Sequence, residues 1–468
     1  MNKDLTVGNP GKILILYTLP LFGSIIFQQL YNVADSFVAG FFIGTDALAA
    51  VGNSYEITLI YIAFAFGCNI GASVVTARYF GVKDYASART TAYTALISSV
   101  AIGVVLMAVG LGVSRPLLKL LQTPSDILED SLLYLYIYLG GYLFLLVYNI
   151  STGIFASLGD SVTPFIFLVA SSVGNVGMDI LFVKSFRMGV AGVAWATFIC
   201  QGISGIAALV TVLIRLKKLS VGKVALFDKK ILKEITAVAV PSIFQQGFIS
   251  VGNIVIQGFI NSFGTAAIAG YSAAIKLNNL AITSLCAVGN GMSNYSAQNA
   301  GAGKNDRIKK GLIYGIGIAV VLAAIFTALF LIFGRTFTEL FVRDGNADAI
   351  ATSMAFLTIV SPFYALISVK IMIDGVYRGI NKMRFFLVST FTDLILRVVF
   401  AAVFAKTIGV NGIWYSWPIG WGVSTLISGS CYFYVRKKYL KSVKAETAAA
   451  YPQSENNRAE ISEKQIKS

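Results

Sequence analysis

No histidine occurs anywhere in the 468 residues. That removes the side chain most often used as a general base near neutral pH and as a zinc ligand. Charge is scarce too, at 13% of residues where soluble domains carry about a quarter. With 56% hydrophobic residues and a mean hydropathy of +0.75, a chain of this length is not one large soluble core. Its segments have lipid as their solvent. Cys68, Cys200, Cys286 and Cys431 stand far apart inside apolar runs, with no C-x-x-C spacing. They read as small apolar side chains, and neither a metal nor a redox role has support. A nucleotide loop is missing as well. In GAGKN at 301–305, Gln298 stands where the phosphate-loop pattern needs glycine and Asn305 where it needs Ser or Thr. ATP is therefore not the expected driver, and an ion gradient is.

What the chain does contain is a series of long apolar runs. A membrane helix needs roughly 20 mostly apolar residues. That window places twelve spans, at about 13–43, 47–77, 91–113, 131–155, 164–184, 190–214, 236–260, 267–297, 311–334, 350–377, 385–405 and 410–435. The first run is too long for the apolar region of a secretory signal. The net charge of +15 gathers at the edges of these runs, not among stacking aromatics, so nucleic acid is not an expected partner. Of the 37 Lys and Arg, 27 fall on the side shared by both chain ends and 7 on the other. By the positive-inside rule both ends are cytoplasmic. The stretch beyond about Ala445 is polar and charged and reads as a disordered tail.

Shifting the sequence by 220 residues brings back the same punctuation. Gly44-Thr45 meets Gly264-Thr265, Gly71 and Ser73 meet Gly291 and Ser293, and Gly189-Val190 meets Gly409-Val410. The expected fold is an all-α membrane protein, with twelve transmembrane helices in two pseudo-symmetric six-helix bundles. The halves are an N-terminal lobe at 1–218 and a C-terminal lobe at 236–440. A cytoplasmic linker at 219–235 joins them, and the tail at 441–468 follows. Six spans per half is even, so the halves are related by an axis along the membrane normal. Two such bundles flanking a midplane cavity suit an alternating-access carrier.

Charges at membrane depth are costly and point to function. Asp35 sits inside QQLYNVADSFVAG. In SSVGNVGMDILFV, Asn175 and Asp179 are four residues apart and share a helical face. The next span supplies Thr197. These oxygen donors suit a small hard cation, or a proton shared between two acids that titrate as a pair. At the 220 shift the four fall on Val255, Ile395, Val399 and Trp417, so the second half has discarded the whole set. The C-terminal half has pairs of its own: Lys370 with Asp374, and Asp393 with Arg397, each at i, i+4 and able to pair on its own helix.

The chain resembles the multidrug and toxic compound extrusion (MATE) family to about residue 440. The resemblance is carried by DLTVGNPGKIL, P-x(7)-QQLYNVADSFVAG, GTDALAAVG, GASVVTARYFG and GDSVTP, and by the repeat copy GTAAIAGYSAA. It implies a bacterial inner-membrane antiporter that exports amphipathic, often cationic compounds against H⁺ or Na⁺. It also implies that the cation-coupling set is Asp35, Asn175, Asp179 and Thr197. Asp35 and Asp179 would be metal ligands only if the coupling ion is Na⁺. Pro20, fifteen residues before Asp35, matches the family's first-helix proline, where bending accompanies cation binding. Lys370 and Asp374 form a possible substrate or coupling site in the second lobe, Asp374 resembling an acid of the tenth helix. A departure from the pattern is PSIFQQGFISVGN, which offers Gln245 and Gln246 where some members carry a glutamate, and this favours the first lobe.

The expected protein is thus a secondary antiporter and not an enzyme. It has no cofactor beyond its coupling ion, lives in the lipid bilayer, takes small organic substrates and works as a monomer. The alternative is a lipid-linked oligosaccharide flippase of the same superfamily, which twelve spans and paired acids fit poorly. An intramembrane enzyme or a receptor fits less well, for want of a nucleophile motif and because of the internal duplication.

Overall fold

The computed structural model describes residues 3–43, 45–121, 123–219, 222–342 and 346–440. The side chains of 32–41, 45–48, 55 and 56 lie outside the described set, as does the stretch expected to be a tail. Among the described residues there are fourteen α-helices and no strand. The first seven are α1 Pro10–Phe42, α2 Thr45–Val82, α3 Tyr85–Leu120, α4 Leu128–Gly140, α5 Tyr142–Ser157, α6 Val162–Ile180 and α7 Val190–Lys217. The second seven are α8 Lys229–Asn261, α9 Thr265–Gly301, α10 Asn305–Glu339, α11 Ala347–Val360, α12 Tyr364–Gly379, α13 Met383–Thr407 and α14 Val410–Lys438.

Each of the twelve expected spans falls on one of these helices or on a broken pair. The fourth span bends by 47° between α4 and α5 at Gly141. A Gly-Gly step is a common site for a kink, and a Cβ at Gly141 would meet Phe198 at 2.9 Å. The tenth span breaks at a 3₁₀ turn, Ser361–Phe363, around Pro362. There the imide nitrogen cannot donate to the helix ladder. Two spans, α9 and α14, are long enough but lack an 18-residue window as apolar as the others. Asn, Gln and Ser fill the end of α9, and Trp, Tyr, Gly and Ser fill α14. Outward faces carry exposed Ile166, Val173, Ile203, Ile313 and Leu426, the inverse of a soluble surface and the expected pattern against lipid.

Local chemistry explains the opening motif. Asp4 Oδ1 accepts from the Thr6 N–H at 2.8 Å. Gly8 takes a φ of +86°, which suits glycine. Asn9 Oδ1 then accepts from the Gly11 N–H at 2.9 Å and caps α1, with Pro10 as its first residue.

By packing, the chain divides into two units that do not follow chain order. One contains Lys3, Leu19–Thr76 and Tyr85–Ile243, and the other contains Asp4–Thr18, Ala77–Asp84 and the chain from Phe244 onward. In the first unit the start of α8 lies on α2 at two glycines one turn apart. A Cβ at Gly71 would stand 2.8 Å from Ile235 O, and one at Gly67 2.9 Å from Ile243 N. Ile57, Leu135, Leu139, Tyr142 and Leu146 form a core there. In the second unit Tyr271 stacks on Trp414 at 5.5 Å between ring centroids. Phe356 meets Trp414 edge-on at 5.2 Å and Trp417 at 5.3 Å. Both α1 and α8 change unit within three residues of an internal proline, Pro20 and Pro241.

Candidate functional site

In the first unit the start of α6 is anchored by Asp160. Its Oδ1 accepts from the Val162 and Thr163 N–H groups at 3.1 and 3.0 Å, and the Thr163 hydroxyl donates to Oδ2 at 2.7 Å. Arg215, near the end of α7, pairs with the same carboxylate and donates to Thr163 Oγ1 at 2.9 Å. Burial pushes the Asp160 carboxyl up. The Thr163 N–H and hydroxyl and the Arg215 guanidinium outweigh it and hold the acid below its ordinary value. The register of α6 against α7 is thereby fixed at one end.

That register brings three of the four sequence-predicted residues together. Asn175 and Asp179 are both buried on α6, at 3% and 0% exposure, and Thr197 faces them from α7, with Thr197 Oγ1 3.4 Å from Asn175 Nδ2. With the amide turned so that its nitrogen faces the carboxylate, Asn175 donates to Asp179 Oδ2 at 2.9 Å. Its oxygen then accepts from the Thr197 N–H at 3.1 Å. This orientation is the sound one, because the other sets oxygen against oxygen. The amide thus serves Asp179 as a donor through its nitrogen, and its oxygen is the atom that a cation would contact. Directly after Asp179 the helix widens into a π-helical turn, Leu181–Ser185, a feature frequent at functional sites. The fourth residue, Asp35, lies on α1, and its side chain is outside the described residues.

Pro20 sits on α1 where the helix changes unit. Its ring removes the N–H that Leu16 O would accept. Thr18 Oγ1 donates back to Leu14 O at 2.7 Å and Ser24 Oγ to Pro20 O at 2.9 Å. Such back-bonds are frequent where helices bend.

The second unit has its own charged file. Lys370 Nζ lies 2.6 Å from Asp374 Oδ2, both side chains being 5% exposed. Asp374 Oδ1 accepts from Ser389 Oγ on α13 and Ser428 Oγ on α14, each at 3.2 Å. The acid is therefore held by three helices. Ser389 and Ser428 escaped the sequence reading, because a serine in an apolar run carries no signal of what it faces. Arg378, whose place in the sequence suggested a cytoplasmic loop, is buried in the last turn of α12 with its guanidinium 5.6 Å from the Phe386 ring. Arg397 donates to Asp393 Oδ2 at 2.9 Å and lies 5.5 Å from the Trp417 ring. Gly420 leaves room for that pair, since a Cβ there would meet Asp393 Oδ1 at 2.6 Å.

Asp179 in the first unit thus meets an amide and not a cation of its own helix, while Asp374 and Asp393 of the second unit are engaged by cations of their own helices. Comparison with known proteins agrees with the fold. A family model described as MatE matches residues 20–181 and 241–403. The Bacillus subtilis protein named "Probable multidrug resistance protein YpnP" is 29% identical over 449 residues, covering 95% of this chain and 99% of its own length. "Probable multidrug resistance protein YoeA" of the same organism is 25% identical over 438 residues, covering 90% and 93%. The solved structure titled "Outward-facing conformation of a multidrug resistance MATE family transporter of the MOP superfamily" superposes with a TM-score of 0.88. It is 23% identical, and the match covers 95% of this chain and 99% of that one.

Proposed function

Because the chain belongs to the MatE family, the multidrug and toxic compound extrusion transporters its motifs resemble, we propose that it is a secondary antiporter exporting amphipathic, often cationic organic compounds in exchange for H⁺ or Na⁺. The observation that carries this reading is the pair of buried residues Asn175 and Asp179 with half-buried Thr197 beside them, Asn175 standing within hydrogen-bond reach of both the others inside the first unit.

In this mechanism Asp35 joins Asp179 as the second acid. A cation or proton neutralises the buried carboxylates, and the Asn175 amide oxygen adds a contact when the ion is Na⁺. Neutralisation removes the cost of holding charge at membrane depth. The helix carrying Asp35 bends near Pro20, and substrate leaves. Coupling requires that ion and substrate prefer different states. The protein is a multi-pass membrane protein, and in this reading both chain ends face the cytoplasm, as the Lys and Arg bias supports. It functions as a monomer, since both halves of the duplication lie in one chain.

Ethidium efflux from reconstituted vesicles tests this, with a Na⁺ gradient and a pH gradient imposed separately. Efflux under one gradient alone names the coupling ion, and efflux under neither overturns the antiporter reading.

A further inference from the structure

Two stretches singled out in the sequence, DLTVGNPGKIL and GAGKN, take no part in the site above, and the structure makes them partners. Both belong to the second unit. The Leu5 N–H donates to Gln298 Oε1 at 2.9 Å. Leu5 O accepts from Asn299 Nδ2 and Arg307 Nη2, each at 3.3 Å. Lys304 Nζ donates to Thr6 O at 2.9 Å and to Thr6 Oγ1 at 3.1 Å, and Arg307 Nη1 donates to Gly8 O at 2.7 Å. Arg307 Nε is fixed in turn on Asn299 Oδ1 at 3.0 Å. Leu5 and Thr6 are 1% and 4% exposed, and Gln298 and Asn299 are fully buried.

This is a built clamp for a short extended segment. Four side chains grip main-chain groups, so they hold the backbone whatever most of its side chains are. Among the described residues neither Lys304 nor Arg307 has a carboxylate partner, and both cations are given over to neutral oxygens. Bonds of this kind, facing water at Lys304, open one at a time without breaking a helix or a sheet. The held segment runs straight into α1, the helix that carries Pro20 and Asp35.

We propose that Asp4–Asn9 is a releasable strap: it is docked in the state seen here and leaves its clamp as α1 moves in the transport cycle. This role rests on the transporter reading given above.

The test is the reactivity of Thr6→Cys toward a membrane-impermeant maleimide in inside-out vesicles, with the parent chain as background. Reaction is slow at rest and about ten-fold faster when ethidium and the coupling gradient are both present. Adding Arg307→Ala makes Thr6→Cys reactive at rest, and Arg307→Lys gives an intermediate rate. Thr6→Cys that stays protected while efflux runs normally overturns the strap. If no gradient drives efflux, the transport reading fails, and the clamp is judged on the resting rates alone. A rise with Arg307→Ala upholds a strap held by that residue, and unchanged protection overturns it.

Discussion

Lys370 and Asp374 meet at 2.6 Å on one face of α12, four residues apart and almost wholly buried. Two hydroxyls from neighbouring helices occupy the other carboxylate oxygen. A buried pair of this kind adds little net stability over apolar residues of the same shape, yet it costs a great deal to break from one side.

Asp374→Asn or Lys370→Met alone is therefore expected to destabilise the second unit by roughly 3–5 kcal/mol. The double variant Lys370→Met with Asp374→Leu recovers most of that loss. Thermal unfolding in detergent micelles measures all three. A double variant no better than the singles would show that the hydroxyl contacts matter more than the charge.

Asp160 gives a pH dependence of definite sign. Its folded-state acid lies below the ordinary value. The stability it contributes is therefore present above the unfolded pKa, about 3.9, and is lost as pH falls through the folded one. Asp160→Asn lowers the unfolding temperature between pH 5 and 7, and the gap to the unaltered protein closes below about pH 4. A gap that widened on acidification would contradict the ion pair with Arg215.

At the proposed coupling site, Asp179→Asn or Asp35→Asn abolishes gradient-driven efflux while leaving the fold intact. Asn175→Leu, which removes the amide from Asp179, weakens cation affinity about 10–100-fold. Efflux titrated against the driving ion separates the two effects, since the amide variant is rescued by more ion and the acid variants are not. Retention of coupled efflux in both acid variants would remove the site assignment.

In the second unit, a Cβ at Gly81 would collide with Gln298 O and one at Gly301 with Arg78 O. Neither helix backbone can retreat cheaply there. Gly81→Ala and Gly301→Ala are each expected to destabilise by about 1–3 kcal/mol through overpacking. Gly317, with open space around it, is the control, and Gly317→Ala is neutral or slightly stabilising as a helix propensity gain.

Much of this molecule could be read before its fold was known. Spans were legible because the need for about 20 apolar residues is a property of the bilayer and not of tertiary packing. Asn175 and Asp179 declared a common face through their spacing, and the pairs on α12 and α13 did the same. Breaks within spans were not legible, since a Gly-Gly step such as 140–141 kinks a helix only if a neighbour such as Phe198 fills the space. Nor were Ser389 and Ser428 as partners of Asp374, because contacts across helices depend on rotation angles that no local pattern records. Arg378 misled the loop assignment for the same reason: the end of a helix is basic whether it meets water or is buried against Phe386.

The two first helices of the repeat carry one more implication. The start of α1, through Thr18, packs in the second unit, and the start of α8, through Ile243, packs in the first. Each copy thus lends the opening turns of its own leading helix to the other, the reciprocal pattern known from domain-swapped dimers. A homodimer of one copy would carry every residue twice. In a single polypeptide the two copies are free to differ, and at the 220 shift Asp35, Asn175, Asp179 and Thr197 fall on Val255, Ile395, Val399 and Trp417, an asymmetry no homodimer can encode.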